Sequence, residues 1–77
     1  MDNPNFTQVY VKGISRSTTA DDLEQLFEKC GTIRDIVMKN KYAFIDFKSH
    51  DDAAEAVKTY NKTSQFGETL TVEQSRK

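Results

Sequence analysis

Apolar positions along the chain fall into two periods, and the switch between them predicts six elements. In Val9-Tyr-Val-Lys-Gly-Ile14, Val9 and Val11 point to one side and Tyr10 and Lys12 to the other, the period of a strand, with Gly13 at its exit. Leu23, Leu26, Phe27 and Cys30 then recur at helical spacing, one apolar stripe of an amphipathic helix. Thr18 with Asp21, or Thr19 with Asp22, supplies a capping-box spacing at its start, and Gly31 stands where it should stop. Residues 33–38 return to the strand period, with Ile36 and Met38 inward and Asp35, Val37 and Lys39 outward. Lys39-Asn-Lys41 leaves room only for a tight hairpin, in which Asn40 is the residue suited to positive φ. Ala53, Ala56, Val57 and Tyr60 repeat the helical stripe behind a second capping spacing, Ser49 with Asp52. Residues 61–67 form a turn-rich connection, and Leu70-Thr-Val-Glu73 is the last strand.

The third strand breaks the ordinary rule. In Lys41-Tyr-Ala-Phe-Ile-Asp-Phe47, Ala43, Ile45 and Phe47 share one face, and Tyr42, Phe44 and Asp46 the other. A half-buried strand should be apolar inside and polar outside, yet both faces here carry aromatic rings. Burying one face leaves Tyr42 and Phe44 in water, an arrangement that suits a binding surface.

The order β-α-β-β-α-β predicts an α+β, ferredoxin-like split βαβ fold. Two right-handed crossovers place both helices on one face of a four-stranded antiparallel sheet, with the first and third strands side by side in its centre. Tyr10 then lies next to Tyr42 and Phe44, on the face the helices leave open.

Two stretches carry a family resemblance. Tyr42 to Phe47 match the last six positions of the ribonucleoprotein octamer, Lys/Arg-Gly-Phe/Tyr-Gly/Ala-Phe-Val-x-Phe/Tyr, while Asn40 and Lys41 replace its leading basic residue and glycine. Val9-Tyr-Val-Lys-Gly-Ile14 is similar to the hexamer of the same family. From about Val9 to Arg76 the chain therefore resembles an RNA recognition motif. The resemblance implies that Tyr10 and Tyr42 stack on successive bases and that Phe44 packs against the sugars between them. Lys12, Lys39, Lys41 and Arg76 should surround this platform and contact phosphates and bases, with Val37 completing its outward face. Gln74 and Ser75 match the segment after the last strand that contacts bases through its backbone. The implied partner is a short single-stranded RNA, bound at roughly micromolar strength, about −8 kcal/mol.

Residues 33–47, with their short hairpin, and Thr71-Val-Glu-Gln-Ser-Arg76 look like the first RNA recognition motif of the serine/arginine-rich splicing factors. That likeness implies pre-mRNA splicing or mRNA processing in the nucleus, with shuttling to the cytoplasm or a role in export left open. It also implies a longer protein with an arginine/serine-rich tail.

Charge refines this picture. The chain has net charge −1 and pI about 5.7, unlike a general nucleic-acid binder. Its acidic residues gather on the helices, as Asp21, Asp22, Glu24 and Glu28 on the first and Asp51, Asp52 and Glu55 on the second. In first turns they complement the helix dipole, and the acidic helical face is the place for any splicing or export protein to bind. Asp35, Asp46 and Glu73 dilute the basic sheet face, or accept hydrogen bonds from base amino groups.

Size and composition set the remaining bounds. Seventy-seven residues allow one domain, expected as a mobile tail over 1–6 and a single recognition motif over 7–77, monomeric by default. No apolar run approaches the roughly 20 residues of a membrane span, and no signal-peptide pattern opens the chain. Cys30 is the one cysteine, so no internal disulfide can form and a reducing compartment is the natural setting. One histidine and one cysteine are too few for a usual zinc site, and no cofactor is expected. The sequons at Asn5 and Asn61 are read as chance.

Two rival readings stay in view. A protein-interaction module of this fold would hold a peptide on its helical face, using an Arg-x-Phe loop, but Ser64-Gln-Phe66 lacks the arginine and Phe66 reads as a core-edge residue. An acylphosphatase-like enzyme would need a phosphate-cradling loop, and Gly13-Ile-Ser-Arg-Ser17 offers Arg16 without the glycines. His50, by a helix start, reads as an exposed polar residue rather than a catalytic one.

Overall fold

In the computed structural model, which describes residues 5–75, Val9 and Val11 are fully buried, and this fixes which side of the first strand meets the helices. The elements are β1 (Gln8–Lys12), α1 (Ala20–Phe27), β2 (Ile33–Met38), β3 (Tyr42–Phe47), α2 (His50–Tyr60) and β4 (Thr71–Gln74). They form one antiparallel sheet in the order β2-β3-β1-β4, so β1 and β3 occupy its centre, as the split βαβ pattern requires. Ala43, Ile45 and Phe47 from β3 and Val72 from β4 join Val9 and Val11 on the covered face. Leu23 and Phe27 from α1, with Ala53, Ala56 and Tyr60 from α2, close over them. Each large side chain so buried contributes about 1.5–3 kcal/mol.

Thr19, not Thr18, caps α1. Its hydroxyl accepts from the Asp22 N–H at 3.1 Å, and the Asp22 carboxylate accepts from the Thr19 N–H at 3.0 Å, a complete capping box. Thr18 is buried one residue earlier, where its hydroxyl accepts from the Ser15 N–H at 3.2 Å. The helix ends at Phe27, short of the stripe that ran to Cys30. Cys30 and Gly31 donate to Phe27 and Glu28 respectively, bonds three residues back that tighten the chain into turns. A Cβ at Gly31 would lie 2.0 Å from the Asp52 carboxyl carbon, so a larger residue there would have to displace the Asp52 side chain. Ser49 caps α2 by accepting from the Asp52 N–H at 3.3 Å, while the far end of α2 is tied to α1 by the Tyr60 hydroxyl, which donates to the Leu26 carbonyl at 3.1 Å.

Four expectations need correction. Phe6, placed in the tail, packs against the core, and its carbonyl lies 2.8 Å from His50 Nδ1. The rings of the two meet edge to face at 4.9 Å, so His50 is a half-buried strut rather than an exposed polar residue. In the β2–β3 hairpin the positive φ falls on Lys41, at 69°, and not on Asn40. The Lys39 N–H donates to the Tyr42 carbonyl at 2.9 Å, and that closure puts the left-handed residue last in the turn. The connection from α2 to β4 also holds more order than turn signals suggest. Leu70 donates to Thr63, Ser64 pairs with Thr69, and the Asn61 side chain accepts from the Val72 N–H at 2.9 Å.

Candidate nucleic-acid interface

Strand register decides what shares the open face. Across the sheet, Val37 of β2 stands opposite Phe44 of β3, Phe44 opposite Tyr10 of β1, and Tyr10 opposite Glu73 of β4. One step along, Tyr42 pairs with Lys12, and Lys12 with Thr71. One step the other way, Asp35 pairs with Asp46, and Asp46 with Gln8. The face thus has a middle row of Val37, Phe44 and Tyr10 that ends in Glu73, a basic end and an acidic end.

The rings of the middle brace one another. Tyr10 lies 5.7 Å from Tyr42 and 5.6 Å from Phe44, centroid to centroid, tilted by 49° and 47°. Tyr42 and Phe44 meet edge to face at 5.9 Å. These are favourable aromatic geometries, and they hold three half-buried rings together on the open face. Val37, 38% exposed, extends the apolar surface to the β2 edge.

Charged side chains flank the rings unevenly. Lys12, Lys39 and Lys41 are exposed at the hairpin end, with Lys12 on β1 beside Tyr42 and the other two in the turn. At the opposite end the Asp46 carboxylate accepts from the Thr7 hydroxyl at 3.0 Å. Sequence reading missed Thr7, which sits before β1; its only signal was its place one step from Asp46 once β1 and β3 pair. Gln74 lies within β4 opposite Val9, which puts its side chain on the helix-covered side. The Ser75 N–H, next in line, is already engaged with the Gln8 carbonyl at 2.9 Å. Arg76 lies outside the described residues. Among the described residues, no group of three or more His, Cys, Asp or Glu side chains is placed to hold a metal. Among the described residues, no helix is long and apolar enough to cross a membrane.

The family profile described as RNA recognition motif matches residues 9–71. The chain belongs to the RNA recognition motif family. Domains of this family are RNA-binding modules, not enzymes. The chain is 39% identical over 70 residues to serine-arginine protein 55 of Drosophila melanogaster, covering 91% of this chain and 19% of that protein. It is 35% identical over 80 residues to a cytoplasmic and nuclear polyadenylate-binding protein of Candida glabrata, covering 95% of this chain and 14% of that protein. It therefore spans less than a quarter of the length of either relative. Among solved structures, the RNA15 recognition motif superposes with a TM-score of 0.88 at 23% identity, covering 92% of this chain and 91% of that one, a likeness of fold. A Sex-lethal protein–RNA complex superposes at 0.87 with 28% identity, covering 94% of this chain and 48% of that one.

The family pattern explains the hairpin. Lys41 occupies the place of the octamer's glycine, and its φ of 69° is the conformation for which glycine carries no steric penalty. In this chain a lysine takes that conformation, which puts a positive charge next to Tyr42.

Proposed function

We propose that this chain is a single-stranded RNA-binding module that stacks bases on its open sheet face, within a longer serine/arginine-type protein acting in pre-mRNA splicing or mRNA processing in the nucleus. The observation that carries this reading is the trio Tyr10, Tyr42 and Phe44, in mutual contact and half-exposed on a face no helix covers. Flat bases have apolar faces, and adjacent rings can stack two or three of them, each stack contributing about 1–3 kcal/mol. Tyr10 and Tyr42 take successive bases and Phe44 lies against the sugars between them. Lys12, Lys39, Lys41 and Arg76 neutralise the phosphates, while Gln74 and Ser75 present backbone groups. The serine/arginine-type relatives support the splicing role and the nuclear setting; the polyadenylate-binding relatives keep other mRNA processing within the reading.

The protein-interaction reading fits less well. Phe66, which would anchor a bound peptide, packs against the core instead. The deciding experiment is an NMR titration of the domain with a pool of short random single-stranded RNAs. Amide shifts centred on residues 9–12, 39–44 and 73–75, weakened in Tyr10→Ala, support the platform. A silent sheet at millimolar RNA, with shifts on the helices when a partner protein is added, would favour the rival.

A further inference from the structure

The open face of β2 carries Asp35 and Val37 at strand period, roughly 7 Å apart, and Lys39 follows where the strand enters the hairpin turn. Val37 is the exposed large apolar side chain among the described residues, and the register sets it against Phe44. Tyr10, Phe44 and Val37 therefore form one row that reaches the sheet edge. On one flank, Asp35 stands directly opposite Asp46. Like charges so placed weaken a sheet. Asp46 is held by the Thr7 hydroxyl at 3.0 Å, which occupies one of the roughly four acceptor positions of a carboxylate. Beyond the other end of β2, in the hairpin turn, comes exposed Lys39.

From this strip we infer that the paired carboxylates Asp35 and Asp46 make the β2 edge of the platform selective for a nucleobase with an exocyclic amino group and, among pyrimidines, for cytosine over uracil. The inference rests on the RNA-binding reading above. The base lies on Val37 and the edge of Phe44, its amino group faces Asp35 and Asp46, and its phosphate is reached by Lys39. An ionised carboxylate accepts hydrogen bonds and donates none. Cytosine presents an amino donor at C4 where uracil presents a carbonyl oxygen, so the same pair of carboxylates attracts one and repels the other. Thr7 acts as a positioning residue, fixing the Asp46 carboxylate on the platform side.

The test is fluorescence anisotropy of the domain with end-labelled pentacytidylate and pentauridylate at one fixed salt concentration. Wild type is expected to bind the cytosine oligomer about tenfold more tightly, a difference of about 1.4 kcal/mol. In Asp35→Asn/Asp46→Asn the side-chain amides both donate and accept, and the ratio should fall to within about twofold. Loss of two negative charges strengthens phosphate binding to both oligomers alike, so the ratio is the readout. Asp35→Asn alone, at an exposed position, serves if the double variant does not fold. Equal binding of both oligomers by wild type, or a ratio unchanged in the variants, overturns the selectivity; if Tyr10→Ala still weakens both, the stacking platform survives that failure. Absence of binding to either oligomer at millimolar concentration overturns the selectivity and the RNA-binding reading together.

Discussion

Tyr10 and Phe44 face one another directly across the β1–β3 ladder, with ring centroids 5.6 Å apart. Their backbones are locked by the central pairing of the sheet, and Tyr42 abuts both rings. The platform is therefore ordered before any base arrives. Binding then loses little side-chain entropy, the part of the association penalty a rigid aromatic surface removes.

Tyr10→Ala should weaken binding of a short single-stranded RNA by about 1–3 kcal/mol, roughly 5- to 150-fold. Stability should change much less, because the ring is half-exposed and stands outside the core. Val11→Ala, one residue on and fully buried, should do the reverse: a large loss of stability with the ring platform still in place. Anisotropy titrations paired with urea denaturation separate the two. Equal affinity in Tyr10→Ala and wild type would remove the stacking role.

Lys41→Gly separates backbone shape from charge. At φ 69° a side chain is strained, by about 1 kcal/mol, and glycine relieves that strain while loosening the unfolded chain. Stability should hold or rise slightly. RNA affinity should fall, and the slope of log affinity against log salt should flatten by about 0.7, the value for one fewer phosphate neutralised on a single strand. An unchanged salt slope would assign Lys41 to the turn alone.

Much of this was legible in the chain because period, capping and turn chemistry agreed. Val9, Val11, Ala43, Ile45 and Phe47 alternate cleanly with Tyr10, Tyr42 and Phe44, so pairing β1 with β3 gathers the rings with no further assumption. What escaped depends on contacts distant in sequence. Phe6 looked like tail because nothing near it in the chain could bury it; its partner, His50, lies forty-four residues away. Thr7 had no local reason to matter until the sheet brought Asp46 to it. The choice between Thr18 and Thr19 as cap turned on Ser15, whose N–H engages Thr18. Asn40 lost the left-handed position to Lys41 because the bond from Lys39 to Tyr42 sets the turn, overriding residue preference.

Gly13→Ala should destabilise the fold strongly. Gly13 has φ 94°, and a Cβ there would lie 2.3 Å from the Thr69 carbonyl oxygen, a backbone atom that cannot rotate away. Strain at such a backbone conformation costs on the order of 1–3 kcal/mol before the clash is counted. Because Gly13 follows the β1 strand that carries Tyr10 and Lys12, RNA affinity should fall with it wherever the native fraction falls. Thermal denaturation checks this, and a melting temperature within a degree of wild type would contradict it.

The last prediction concerns alkaline pH. Burial raises the Cys30 thiol pKa, and the nearby Glu55 and Asp52 carboxylates push it further the same way. Burial also raises the Tyr60 phenol, with a smaller push from Cys30. Both groups are neutral when protonated, so the folded chain keeps protons that the unfolded chain has begun to release. The stability they contribute is complete below the unfolded thiol pKa, about 8.5, and is lost as pH rises through the raised folded value. Urea midpoints should therefore decline from about pH 8.5 upward. Cys30→Ala should flatten that decline, and Glu55→Gln should lower the pH at which iodoacetamide alkylates the thiol, because the thiolate loses a repelling neighbour. A midpoint curve with the same slope in Cys30→Ala and wild type would show that the thiol takes no part in it.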